Sequence, residues 1–263
     1  MTAVAPDLSS RRAPALGGFN LTALRLEVRR MLRNRRTMLF TLILPVVFFL
    51  IFGLNKVYAN DKLAHGNESA FIMLSMALYG AVLATTAGGA MVSIERAEGW
   101  SRQLRLTPLS PVAYIAIKML TAMVLGLGSV VAVFVVGRAT GVPHLDGILW
   151  IGCGLSVWVG SLVFAAYGLF MGYLLPTVNV MQILSFTLVL FAFGGGLFVP
   201  LSQFSPLLRT IAEYTPLYGL NQLVHAPVIG GDVKLVWVAN AVAWLVIFAA
   251  GAIWRFRKDT ARV

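Results

Sequence analysis

Residues 70–94 of this 263-residue chain read AFIMLSMALYGAVLATTAGGAMVSI, and residues 95–108 follow directly as ERAEGWSRQLRLTP. The first stretch has 25 residues without a charge. A helix of that length is sufficient to cross about 30 Å of hydrocarbon at about 1.5 Å per residue. Five of the 14 residues in the second stretch are charged. Together they predict a transmembrane helix that ends in a charged segment at the membrane surface.

Apolar runs of the same kind make up most of the chain. The sequence is 59% hydrophobic and only 12% charged, whereas soluble domains have about 25% charged residues. The runs are too long for the strands of a membrane barrel and lack period-two alternation. The sequence therefore predicts an all-α polytopic membrane protein with six transmembrane helices. Their expected positions within the transmembrane domain, residues 37–254, are 37–57, 70–94, 112–136, 148–175, 178–199 and 233–254.

The charges between these runs are divided unequally. If the N-terminus is cytoplasmic, the segments on that side contain 16 basic and five acidic residues, and the segments on the other side contain five of each. The whole net charge of +11 is then a positive-inside bias, which predicts that both termini are cytoplasmic. No nucleic-acid partner is needed to explain the basic composition.

The two ends of the chain differ from the apolar domain. Residues 1–20 contain several Pro, Gly and Ser residues and are expected to form a flexible cytoplasmic tail. Residues 21–36 place Leu24, Val28 and Met31 on one helical stripe beside Arg25 and Arg29, the pattern of an amphipathic interfacial helix that contacts membrane lipid. A purely topological basic flank is the alternative. Residues 255–263 are expected to form a basic cytoplasmic tail.

The fifth apolar run ends in three consecutive glycines. Each costs a helix about 1 kcal/mol relative to alanine, so the helix is expected to bend or break there. Prolines then interrupt residues 200–228, which are predicted to form a short outer helical hairpin between transmembrane helices 5 and 6. The interpretation leaves open an outer gate or a structural cap. The candidate gate residues are Gly194, Gly195, Gly196, Pro200 and Pro216.

Other small residues are spaced for close helix packing. Gly88 and Gly89 in the second run, and Gly168 and Gly172 in the fourth, fit the small-residue pattern of membrane helix contacts. With 25 glycines in the chain, packing within the chain is favoured over a dedicated dimer seam.

The sequence lacks the usual signatures of chemistry. It has no phosphate-binding loop, no Ser/His/Asp set and no histidines at metal-ligand spacing, so no catalytic residue, bound cofactor or metal site is predicted. Lys118, about two turns into the third run, is expected to extend back to the surface. The apolar runs contain no carboxylates of the kind that ion-driven transporters use.

The charged segment and the residues after it resemble the ABC-2 type transporter permeases, in particular the daunorubicin-resistance type. The resemblance lies in the Glu95-Arg96-Ala97-Glu98-Gly99 and Thr107-Pro108-Leu109-Ser110 motifs, in Lys118, and in Tyr214-Thr215-Pro216 of the hairpin. The chain departs from the family at Trp100-Ser101, where a threonine commonly follows the glycine.

The resemblance implies that residues 95–107 form a coupling helix for a separate ATPase subunit. The implied coupling residues are Glu95, Arg96, Glu98, Gly99, Arg102, Arg105, Thr107 and Pro108. Two ATPase copies would hold ATP and magnesium, and a second permease copy would complete a homodimer or a paralogous heterodimer. The implied location is the cytoplasmic membrane of a prokaryote.

The implied function is export of an amphipathic drug, antibiotic or lipid-like substrate, with drug resistance as its outcome. No substrate-binding residue is identified. Export of a polysaccharide or lipid-linked glycan is the alternative, followed by a non-transporting membrane enzyme or sensor.

Overall fold

The computed structural model describes residues 15–55, 60–99 and 109–261. Within these ranges the regular secondary structure is helical apart from one small β-hairpin and an isolated bridge between Gly66 and Leu145. The elements in chain order are α1 (Leu21–Leu32), α2 (Arg35–Gly53), β1 (Lys62–Leu63), β2 (Gly66–Asn67), α3 (Glu68–Ala90), α4 (Val92–Ala97), α5 (Pro111–Thr140), α6 (Gly147–Gly160), α7 (Leu162–Leu174), α8 (Thr177–Gly194), α9 (Pro206–Glu213), α10 (Tyr218–Ile229) and α11 (Leu235–Ala261).

Most of the predicted spans correspond to long apolar helices. Five described segments are long and apolar enough to cross a membrane: Glu68–Ala97, Val112–Thr140, Gly147–Leu174, Thr177–Gly194 and Leu235–Lys258. A sixth span results if α1 and α2, which are bent by 67° relative to each other, are taken as one unit. The predicted all-helical polytopic class, with an N-terminal helix set at an angle to the first span, is confirmed.

Helix α3 lies at the centre of the bundle. It packs against α2, α5 and α7, and 78% of its apolar window is buried inside the protein. Small residues such as Ala77, Ala81 and Gly88 allow neighbouring helices to approach closely on several sides. Since its faces are covered by protein, α3 has little contact with lipid and can transmit displacement between its neighbours.

The glycines of α7 allow it to pack against the backbone of α3. A Cβ atom built on Gly168 would lie 2.2 Å from the carbonyl oxygen of Thr86, and one on Gly172 would lie 3.2 Å from Ala90 Cα. Likewise, a Cβ on Gly89 would lie 2.5 Å from Ala165 O. The predicted use of these glycines for packing within the chain is confirmed.

One end of the bundle is built from loops and short helices. Strands β1 and β2 pair antiparallel, with Lys62 opposite Asn67, a feature that the sequence analysis did not predict. The backbone N–H of His65 donates to Val228 O of α10 at 3.1 Å, and that of Asn67 donates to His144 O at 3.1 Å. We call this end, which also contains α9 and α10, the hairpin end.

The opposite end is formed by α1, α4, the first turns of α5 and the last turns of α7 and α11. We call it the network end. Of the tail predicted over residues 1–20, residues 1–14 lie outside the described part, and Ala15–Gly18 form a 3-10 turn. Ser110 N, just before α5, donates to Gly17 O at 2.7 Å. Ser110 N is available for this bond because the first backbone N–H groups of a helix have no intrahelical acceptors.

Candidate coupling site

The predicted coupling segment begins inside the protein and emerges at its surface. Helix α3 ends at Ala90, and α4 continues through Glu95 and Arg96. Glu98 is exposed, and Gly99 has a φ of +77°, a left-handed conformation that favours glycine and ends the helix. The other predicted coupling residues, Arg102, Arg105, Thr107 and Pro108, lie outside the described residues.

Glu95 is buried and surrounded by donors from two other helices. Its side chain is only 2% exposed. The Tyr114 hydroxyl donates to Glu95 Oε2 at 2.6 Å, and Arg30 Nη2 and Lys118 Nζ both donate to Oε1, the arginine at 2.6 Å. Because a buried carboxylate is stable only when it is paired and hydrogen-bonded, these contacts fix α4 against α1 and α5.

A second acid completes this cluster. Lys118 Nζ also donates to Glu27 Oε1, and Glu27 Oε2 lies 3.9 Å from Arg30 Nη1. The set contains two carboxylates and two cations, so its formal charge is balanced. We call it the Glu95 network, which comprises Glu27, Arg30, Glu95, Tyr114 and Lys118.

The position of Lys118 differs from the sequence expectation. Its side chain is 3% exposed and does not extend back to the surface. The reason is that Glu27 and Glu95 bring two carboxylates to the ammonium group inside the protein. Neither carboxylate is near Lys118 in the sequence.

Arg96 connects the same short helix to α7. Its Nη1 donates to Gly172 O at 3.1 Å and to Tyr173 O at 2.8 Å. The last carbonyls of a helix lack intrahelical partners and carry partial negative charge, so a guanidinium group is a favourable cap. On the same α4, Ser93 O accepts from Thr177 Oγ1 of α8 at 2.7 Å.

An aromatic cluster brings α11, the last span, into contact with this end of the bundle. The ring of Phe256 in α11 lies 5.7 Å from that of Tyr114 and 5.6 Å from that of Tyr173. Helix α4 is thus bonded directly to α1, α5, α7 and α8, and its partners Tyr114 and Tyr173 contact α11. A displacement of the chain after Glu98 would act on this whole set.

The candidate gate residues lie at the hairpin end, where α8 stops. Gly194 is the last residue of α8, and Gly196 has a φ of +79°. A Cβ on Gly195 would lie 2.8 Å from Phe191 O and 2.9 Å from Leu217 Cβ. The predicted break of the helix at the three glycines is confirmed. Pro200 is exposed before a 3-10 turn, and Pro216 is buried between α9 and α10.

Helix α10 holds this break in place. Asn221 Nδ2 donates to Gly195 O at 3.1 Å and to Gly196 O at 2.9 Å. One turn later, His225 lies with Nδ1 2.8 Å from Asn221 O and Nε2 3.0 Å from Ser75 Oγ of α3. Nε2 also lies 3.2 Å from Phe71 O of the same helix. Burial lowers the pKa of His225, because it disfavours the charged ring. Helix α10 therefore packs deep within the bundle.

The sequence comparison agrees with this architecture. The family model described as "ABC-2 type transporter" matches residues 20–226, more than three-quarters of the chain. The chain belongs to the ABC-2 type transporter family. It is also 27% identical over 237 residues to the protein named "Putative transport permease YvfS" of Bacillus subtilis (strain 168), covering 89% of this chain and 96% of the relative.

Membership of this family establishes a multi-pass permease subunit of an ABC transporter. The match is to the membrane permease domain and includes no ATPase domain. ABC-2 permeases generally pair with an ATPase subunit. The coupling and gate roles assigned above to individual residues stay predictions.

The sequence analysis of the permease missed Glu27, Arg30 and Tyr114 as members of the site. One signal was available. Glu27 is the lone acid of a basic helix, and Lys118 is the lone charge within its apolar run. Since isolated charges at membrane depth usually pair with one another, these two residues could have been proposed as partners.

We predict that Asn221→Ala weakens the hairpin end of the permease. Two backbone carbonyls lose their side-chain donor, so the free energy of unfolding should fall by about 1–3 kcal/mol. Cys153 is the single cysteine and is buried in α6, so its reaction with a thiol-reactive fluorophore on heating measures unfolding. Gln222→Ala, an amide truncation at the next position, should change stability by no more than about 0.5 kcal/mol. Equal melting curves for the two variants would contradict the prediction.

Proposed function

We propose that this permease is the membrane subunit of an ATP-driven exporter of amphipathic drugs, antibiotics or lipid-like substrates, of the daunorubicin-resistance type. In the proposed complex, two cytoplasmic ATPase subunits hold ATP and magnesium. A second permease copy, identical or paralogous, completes the pathway in a prokaryotic cytoplasmic membrane. The observation that carries the proposal is the attachment of α4 to four other helices.

The distribution of described charges supports the proposed orientation. Basic residues predominate at the network end, which contains the arginines of α1 together with Arg255, Arg257 and Lys258. At the hairpin end, acids such as Asp61 and Glu213 are offset by bases such as Arg138 and Arg209. By the positive-inside rule this distribution supports a cytoplasmic network end, where an ATPase could reach the exposed Glu98 and the chain that follows it.

In the proposed mechanism, closure of the ATPase pair on ATP moves the coupling segment and with it α4. The paired Glu95 carboxylate transfers this motion to α1 and α5, and Arg96 transfers it to the end of α7. Helix α3, which continues into α4, packs against α10 near the candidate gate. Opening at the network end and at the hairpin end would thereby be linked through one central helix.

The proposed cargo class rests on the apolar character of the spans. In the five described spanning segments, charged residues lie near the ends, and the segments Gly147–Leu174 and Thr177–Gly194 contain none. A pathway between two such permeases would offer methionine, aromatic and small polar side chains, which suit amphipathic molecules better than ions.

The decisive test is the double substitution Glu98→Ala with Arg102→Ala. We expect substrate-stimulated ATPase activity of the reconstituted complex to fall at least tenfold, because both charges are expected to contact the ATPase subunit and a lost charged pair weakens association by about 1.5 kcal/mol or more. The measurement is ATP hydrolysis, with and without substrate, by permease co-expressed with its ATPase subunit.

The chain offers a matched control for this test. Arg209 and Glu213 on α9 have the same four-residue spacing, are exposed and lie at the other end of the molecule. Replacing both with alanine should leave assembly with the ATPase intact. Unchanged assembly and stimulation in the Glu98/Arg102 variant would refute the coupling role. Stimulation of ATPase activity by a lipid-linked glycan but not by amphipathic drugs would show that the glycan is the cargo.

A further inference from the structure

A cavity lies at the corner where α1 meets α2, beside the break between α3 and α4. Its volume is about 240 Å³, below the roughly 300–1,000 Å³ of pockets that hold drug-sized ligands. The size suits a compact polar group better than a transported drug. The residues that line it are Glu27, Arg30, Met31, Arg33, Asn34 and Met91.

The cavity has one positive charge beyond those that are balanced within the Glu95 network. Glu27 accepts from Lys118, which is not part of the lining. Arg30 is shared, since it lines the cavity and donates to Glu95. Arg33 is exposed, and within the described part of the chain it forms no ion pair. Because the Glu95 network is neutral as a whole, Arg33 gives the cavity one excess positive charge.

The surroundings of this charge suit the boundary between lipid headgroups and hydrocarbon. Helix α1 is bent by 67° from α2 and leaves the line of the first span. Leu32 at the end of α1 is 47% exposed, and Leu39 and Phe40 in the first turns of α2 are 54% and 60% exposed. A basic cavity bordered by exposed apolar side chains is complementary to a molecule with an anionic head and acyl chains.

We propose that this cavity binds the phosphate headgroup of one anionic phospholipid, with Arg30 and Arg33 as its ligands. Guanidinium groups bind phosphate oxygens through paired, charge-assisted hydrogen bonds. Asn34 Oδ1 accepts from Thr37 N, which leaves its Nδ2 group as a further donor. Met31 and Met91 provide the apolar wall, and the acyl chains extend along the exposed face of α2.

The site has a consequence for coupling. A phosphate bound to Arg30 draws on the same guanidinium group that pairs with Glu95, so occupancy of the cavity is linked to the position of α4. The lipid is separate from the cargo and, in the proposed orientation, belongs to the cytoplasmic leaflet. Its binding can be tested without transport, so failure of this proposal and failure of the exporter assignment are distinguishable.

The test uses native mass spectrometry of the full-length permease with added phosphatidylglycerol, phosphatidylcholine or inorganic phosphate. We expect one tightly retained phosphatidylglycerol per chain, with affinity at least about tenfold above that for phosphatidylcholine, since one charge-assisted contact is worth roughly that factor. Arg33→Gln should weaken phosphatidylglycerol binding at least about tenfold. Arg25→Gln removes the same charge from α1 two turns before Arg33, at an exposed residue that does not line the cavity, and should retain binding within about twofold.

Several results would overturn the assignment. Equal affinity of the wild-type protein for phosphatidylglycerol and phosphatidylcholine would show that the net charge of the lipid plays no role. Equal losses of phosphatidylglycerol affinity in the Arg33 and Arg25 variants would indicate diffuse attraction to the helix. Phosphate binding as tight as that of phosphatidylglycerol would indicate a site for a free anion. Loss of the lipid when the ATPase subunit is added would assign the cavity to that partner.

Arg33→Lys keeps the positive charge but removes the paired N–H donors of the guanidinium group. It should bind phosphatidylglycerol with intermediate affinity and provides a second folded variant.

Discussion

Replacing Glu95 with alanine should destabilise the permease by about 3–5 kcal/mol, because removal of one partner from a buried ion pair leaves an uncompensated charge. Lys118, 3% exposed, would retain only Glu27 as an anionic partner. The Tyr114 hydroxyl and the Arg30 guanidinium would both lose the acceptor that they now share. Helix α4 would lose its hydrogen bonds to α1 and α5 and keep the apolar packing of Val92 against Tyr114 and Ile115.

Thermal unfolding followed through Cys153 measures this effect. For a chain of this size the expected loss corresponds to a fall in melting temperature on the order of 10 °C. Glu98→Ala is the control, since it removes an exposed acid three residues later and should change stability by no more than about 0.5 kcal/mol. Melting temperatures within one degree of each other would show that the buried network contributes no stability.

A double variant separates stability from coupling. Replacing a whole buried ion pair with apolar residues is often neutral, so Glu95→Leu with Lys118→Met should recover much of the lost stability. If the network transmits force from the ATPase, stimulated ATP hydrolysis should stay low in this folded variant. Recovery of both properties would limit the network to a structural role.

Replacing Gly168 with alanine should destabilise the permease by about 3 kcal/mol, the upper end of the usual cost of overpacking a core. Alanine ordinarily stabilises a helix by about 1 kcal/mol relative to glycine. Here the close contacts make the same substitution destabilising. The added Cβ would lie 2.2 Å from Thr86 O and 2.8 Å from Thr86 Cα. Backbone atoms cannot rotate away, so α7 would have to separate from α3.

The same assay and the yield of monodisperse protein measure the effect. Gly128→Ala on α5 is the matched control, because its Cβ would meet only Leu42 Cδ2 at an ordinary 3.6 Å. That variant should be neutral or stabilised by up to about 1 kcal/mol. Two variants that shift the melting temperature in the same direction would contradict the proposed close contact between α3 and α7.

Local sequence was sufficient to predict the spans. The fourth was expected at residues 148–175 and occupies Gly147–Leu174, and the helix break at Gly194–Gly196 was also expected. In a membrane each span must satisfy its own backbone hydrogen bonds, so the length of an apolar run is nearly enough to define it. Proline and glycine also determine helix starts and ends through their own backbone geometry. For example, α9 begins at Pro206.

Only the tertiary structure decided that the first charged residues of the segment make their contacts inside the protein. By composition, Glu95 and Arg96 belong with the exposed Glu98, yet both make contacts inside the protein. Their partners come from α1, α5 and α7, far away in the sequence. The sequence by itself therefore determined which residues cross the membrane and where helices end, since these depend on neighbouring residues. Whether a charge is buried depends on the groups that packing brings against it, and packing joins helices whose order along the chain does not predict their contacts.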